Sequence, residues 1–233
     1  MTTSSPADDC AALRESTARL LESVEKMSDA DVAAPSRLPG WTRGHVLAHL
    51  ARNSDALLNV LAGRPMYVSA EARDADIEND ASRTAAEQLE DVAVTALRLD
   101  GAFEAQPEGD AGWRRGVELR NGVMDRVANI PWRRWIEVEL HHVDLGVGYE
   151  LADVPAEFVD REIANMARRY AGHADLASAV ELRAEDGRSW TTGGGGDPVL
   201  VTGTPVALMG WITGRTDGSD LSATAPLPAL PTF

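Results

Sequence analysis

A chain of 233 residues, 44% hydrophobic, is long enough to bury a core without crosslinks, and its single cysteine, Cys10, excludes an internal disulfide and a cysteine-rich zinc site. With 22 basic and 37 acidic residues the net charge is −15, which argues against nucleic acid or an anionic membrane as a partner. No stretch approaches the ~18 apolar residues of a membrane span, and "MTTSSPADD" lacks the pattern of a secretion signal, so the expected location is a reducing cytoplasm.

Residues 8–27 read as a helix through Leu13, Leu20, Leu21 and Val24, broken by "APSRLPGW" with its two prolines. A second helix is predicted over 41–63, with Thr42 as N-cap, Gly63 as stop and a stripe through Val46, Leu50, Leu57 and Leu61. "RPMYVSAEARDAD" reads as a polar connection, and 75–105 as a third helical pattern through Ile77, Leu89, Val92, Leu99 and Phe103. Residues 120–129 fit either helix or loop. The fourth long helix is "IPWRRWIEVELHHVDLGVG", with Pro131 in its first turn and Gly146 at its stop. Four amphipathic helices joined by loops predict an antiparallel four-helix bundle.

The pattern changes near residue 150. One more helix follows Pro155; then "AVELRAEDGRSWTT" pairs two alternating runs across an Asp-Gly turn, "PVLVTG" reads as a strand, and a helix starts at Thr204–Pro205. The expected organisation is α+β: a bundle over 1–150 and a small α/β domain over 151–233. The run Gly193–Gly196 lacks the Lys-Ser/Thr of a phosphate loop and reads as a turn.

Four of the five histidines fall in two pairs. His45 and His49 lie one turn apart in "HVLAH", His49 beside the apolar stripe and His45 further round. The stretch "RWIEVELHHVDLG" offers Glu137 with His141 at i,i+4, and Glu139 with His142 at i,i+3. Either pair can aim two donors at one ion, and periodicity does not choose between them. Two imidazoles and a carboxylate from facing helices make a three-ligand zinc site with a fourth position open. The competing reading is that these residues solvate helix surfaces. Trp113, Trp132 and Trp135 read as packing, Arg168 and Arg169 as a solvated face. Asp144 reads either as a support for a ligand or as a partner of the nearby chain.

"GWTRGHVLAHLARNSDALLNVLAG" and "EVELHHVDLG" resemble the mycothiol-dependent maleylpyruvate isomerases, members of the DinB-like metalloenzyme superfamily; "PMYVSAEARDADIE" and "VTGTPVALMGWITGR" extend the resemblance over nearly the whole chain. It implies a DinB-like bundle followed by a small α/β domain, and a divalent metal, usually zinc, on His49, Glu137 and His141. Glu139 and His142 then become neighbours, with His142 a competing ligand candidate, and His45 is not an implied ligand. The resemblance also implies a functional arginine, here Arg215; Arg73, in the isomerase-like segment, is a weaker second cation and reads first as a surface arginine. The implied reaction turns maleylpyruvate into fumarylpyruvate: a thiolate adds to the cis double bond, the resulting single bond rotates, and elimination leaves the trans isomer. Cys10 is a poor nucleophile candidate, so the thiol is external and the resemblance names it as mycothiol. The implied partners are a small anionic substrate and a low-molecular-weight thiol. Two alternatives are a mycothiol S-transferase and a metal-binding module without catalysis.

Overall fold

The computed structural model describes residues 5–107, 110–176 and 178–231. The chain forms two compact units, Met1–Tyr149 and Glu150–Phe233.

In the first unit four long helices form a closed ring of neighbours. Helix α1 (Pro6–Val24) packs on α5 (Ala85–Glu104) and α7 (Ile130–Leu145), and α3 (Arg43–Leu61) packs on the same two. Their facing stripes supply the core: Leu20 and Val24, Val46 and Leu50, Val92, and Val138 are fully buried. Short helix α2 (Asp29–Ala33) precedes α3, and short helix α6 (Asp110–Arg114) follows α5. The second unit carries a four-stranded sheet in the order β4-β3-β5-β6. Here β3 (Ala179–Ala184) pairs antiparallel with β4 (Ser189–Gly193) across the Asp186–Gly187 turn and parallel with β5 (Val199–Gly203). Strand β6 (Ser222–Ala223) closes the edge. Helix α8 (Ala156–Tyr170) packs on β4, and α9 (Pro205–Ile212), capped by Thr204, packs on α8 and the sheet. The fold is thus a helical bundle with a small C-terminal α/β unit. Among the described residues no helix is long and apolar enough to cross a membrane.

Three local expectations need correction. The polar connection contains a helix, α4 (Ala70–Asp80), started by the Ser69 cap; its one buried residue is Ile77, which is why no stripe marks it. The third helix therefore does not begin at residue 75. It begins at Ala85, where Thr84 and Glu87 form a capping box that "TAAE" spells out. Residues 120–129 are neither simple loop nor regular α-helix. They include the tip and second strand of a hairpin between β1 (Gly116–Glu118) and β2 (Met124–Arg126). At that tip Asn121 and Gly122 take positive φ of 61° and 73°, and the Val123 amide donates back to the Arg120 carbonyl at 3.4 Å, closing an Asn-Gly turn.

Candidate metal centre

The segment Trp41–His45 explains how one helix end serves the site. Thr42 caps α3, and His45 completes the capping box through Nδ1, which accepts from the Thr42 amide at 3.2 Å. The other nitrogen of His45 faces Glu78 at 3.1 Å, so His45 is committed to structure. Arg43 donates to the carbonyls of Leu145 and Gly146 at 2.7 and 3.1 Å, closing the C-terminus of α7 with a cation. Gly44 is required by contact: a Cβ there would lie 2.0 Å from the Ala81 carbonyl oxygen. Trp41 spreads over both histidines, its ring centre 5.7 Å from that of His49 and 6.1 Å from that of His45.

Helix α7 turns its two glutamates to opposite neighbours, because residues two apart on a helix diverge by about 200°. Glu139 faces α1. It is buried and accepts from Arg19 at 2.8 Å, the Trp135 indole at 3.0 Å and the Tyr149 hydroxyl at 2.6 Å, and it also bonds Ser16. His142 follows it, bonding Ser23 at 2.8 Å and stacking on Tyr149. Both side chains are consumed in joining α7 to α1.

Glu137 and His141 face α3. The Glu137 Oε2 lies 2.9 Å from His49 Nε2 and 3.3 Å from His141 Nε2, and the three donors fall within 4.8 Å of one another. Ligand atoms of a tetrahedral ion, each about 2.05 Å from it, sit about 3.3 Å apart, so the spacing and the chemistry of this donor set fit zinc. Side-chain exposure is 8% for His49, 15% for His141 and 32% for Glu137, so the cluster is open on the carboxylate side. Asp144, one turn on, takes His141 Nδ1 at 2.9 Å and leaves Nε2 turned inward, the carboxylate–histidine arrangement that orients a ligand. Arg73 reaches His49 Nδ1 at 3.3 Å.

Arg134, which the sequence did not single out, sets the distance between the two helices. It is 1% exposed and donates from α7 to the Leu50 carbonyl and the Asn53 side chain of α3, both at 2.8 Å. Burial pushes its guanidinium down to about 10, still charged at neutral pH. Trp41 was also missed as a wall of the site, since a single tryptophan before a helix carries no periodic signal. Trp132 and Trp135 pack in the core as expected. Arg215 stands in the second unit beyond α9, with one Nη donating to the Thr213 carbonyl at 2.7 Å. Cys10 lies inside α1, buried, and loss of water pushes its thiol up to about 11.

The three donors titrate differently. Burial outweighs the bond to Glu137 and holds His49 below the usual histidine value. For His141 burial also opposes charge, but Asp144 and Glu137 outweigh it and hold the imidazolium above its ordinary 6.5. Glu137 is held well below the carboxylate range, since the two imidazoles overcome its removal from water. Without an ion, the raised His141 stabilises the fold fully below the unfolded pKa, and this is lost as pH rises through the folded value. Because that proton occupies a donor atom, zinc affinity is expected to fall as pH drops through the folded His141 pKa, with about one proton released per ion from this residue. Calorimetric zinc titrations at pH 6 and 8 in buffers of different ionisation enthalpy measure this; equal affinity at both pH values rules it out.

A helical bundle holding an open His-Glu-His cluster that could hold a metal ion, followed by a small α/β unit, defines the class of protein. Residues 13–146 match the model of the mycothiol maleylpyruvate isomerase N-terminal domain, and residues 153–232 match the C-terminal domain of the same isomerases. The chain belongs to the mycothiol maleylpyruvate isomerase family. It is similar over 99% of its length to all of a solved mycothiol-dependent maleylpyruvate isomerase, at 25% identity and a TM-score of 0.90. A mutant of a mycothiol-dependent maleylpyruvate isomerase, with one histidine replaced by alanine, matches with the same coverage and TM-score at 24% identity. No curated protein sequence matches the chain.

Proposed function

We propose that this enzyme converts maleylpyruvate to fumarylpyruvate with mycothiol as an external thiol, at a divalent metal, zinc, held by His49, Glu137 and His141. The observation that carries this is the open three-donor cluster in a chain whose only cysteine is buried and protonated. Bound there, the ion would lower the pKa of a coordinated thiol and so supply a thiolate. The protein's share of the work is placement. Asp144 fixes the ring of His141, and Arg134 fixes the spacing of α3 and α7. Trp41 shields one side of His49, and the partly exposed Glu137 leaves an entrance. Arg215 is assigned to receive the anionic substrate, a role that a chain of net charge −15 must give to a local cation.

The test is metal analysis coupled to a maleylpyruvate assay with and without mycothiol. Turnover that needs both metal and thiol, with no net loss of thiol, is the expected result. Net thiol consumption would instead identify an S-transferase. Stoichiometric metal with no thiol-dependent turnover would identify a binding module.

A further inference from the structure

The first unit contains a cavity of about 590 Å³ between the segment that follows α3 and the β1–β2 hairpin. That volume suits a small organic molecule. Its walls include Arg64, Tyr67, Ser69, Arg115, Arg120 and Asn121; among the described residues Glu118 is the one acidic residue lining it. Three arginines against one carboxylate is the reverse of the molecule's overall balance, which is −15. Several arginines elsewhere in this unit are paired with carboxylates: Arg14 with Asp100, Arg52 with Asp91, Arg98 with Asp55, Arg133 with Asp125. Among the described residues Arg64 and Arg120 have no carboxylate partner, while Arg115 is anchored on the Leu61 carbonyl at 2.7 Å.

Two further features favour an anion. The N-terminus of α4, an 11-residue helix, opens on the cavity through Ser69 and Ala70, adding partial positive charge. The hairpin tip, held in shape by the Asn121–Gly122 turn, carries Arg120 to the opposite wall. The cavity also adjoins the metal cluster. The Arg73 guanidinium lies 5.9 Å over the Tyr67 ring and reaches His49 at 3.3 Å, so one side chain separates the cavity wall from a metal donor.

We infer that this cavity is the recognition subsite for a carboxylate of the organic acid substrate, bound by the guanidinium groups of Arg64 and Arg120 and by the Tyr67 hydroxyl. The inference rests on the isomerase reading for the identity of the substrate, and on the cavity alone for its charge. Guanidinium groups bind carboxylates through paired, charge-assisted hydrogen bonds, which selects an acid over its neutral amide.

The probe is succinate, a saturated diacid to which no thiol can add, with succinamide as the uncharged control. Binding to the full metal-loaded chain is measured by calorimetry. Succinate is expected to bind the parent and succinamide not. Arg64→Gln and Arg120→Gln should each weaken succinate by about tenfold, and Glu118→Gln should strengthen it. Unchanged succinate affinity in both arginine variants, or phosphate competing as well as succinate, overturns the assignment. In the isomerase assay Arg120→Gln should raise KM with kcat nearly unchanged; a fall in kcat at constant KM counts against a recognition role. Charge-dependent succinate binding in a chain without isomerase activity would uphold the cavity and remove the isomerase reading. Full isomerase activity with unchanged KM in both arginine variants would do the opposite.

Discussion

His49→Ala is expected to bind zinc at least about a hundredfold more weakly than the parent and to lose activity. The change removes one of three donors, and losing even a residue that merely supports a ligand costs about 10–100-fold in affinity. It leaves Glu137 and His141 on one helix with no donor from α3. The fold should survive, because the bundle is held by the Leu50 and Val138 core and by the Arg134 tie, none of which depends on the imidazole. Metal content after dialysis and the far-ultraviolet spectrum read the two effects separately. A metal-replete, fully active variant would remove His49 from the site. The contrasting change is Glu139→Ala, which should keep the metal and lower unfolding stability by about 3 kcal/mol. It strands the Arg19, Trp135 and Tyr149 donors without touching the cluster. Loss of metal in that variant would mean that the face of α7 turned to α1 takes part in binding.

Arg215→Ala is expected to retain stoichiometric metal while kcat/KM falls by about 10²–10³-fold, the usual scale for losing a fixed donor to a developing anion. The guanidinium is oriented by its bond to the Thr213 carbonyl, and its backbone amide bonds the Gly210 carbonyl at 2.7 Å, so the residue is held in place at the end of α9. Arg215→Lys should recover only part of the activity, because an ammonium cannot reproduce a planar fork. Parent-like turnover in Arg215→Ala would withdraw the cationic role. Glu162, a buried carboxyl on α8 pushed up to about 7 by loss of water, feels the field of Arg215. Its titration should shift upward in Arg215→Ala, a readout independent of turnover.

Where hydrophobic residues recur at a regular period, the element can be read directly. This holds for the four long helices and for the two strands across the Asp186–Gly187 turn. It fails for α4, whose single buried residue leaves no stripe, and for the β1–β2 hairpin, whose strands are three residues each. In both places the usable signal was local instead: the Ser69 cap that starts α4 and the Asn-Gly turn at the hairpin tip.

The sequence by itself determined the bundle, the small α/β unit behind it, the absence of a reactive thiol and the set of possible donors, because these depend on composition and periodicity within single elements. Which donors meet was a tertiary decision. Glu137 and Glu139 each have a histidine at helical spacing, and what separates them is which neighbour their face of α7 meets. Facing α1, Glu139 is consumed by four donors; facing α3, Glu137 meets His49 across the helix pair. The separation that makes the cluster fit an ion rests on Arg134, whose partners lie more than 80 positions away along the chain, at a distance that no local pattern records.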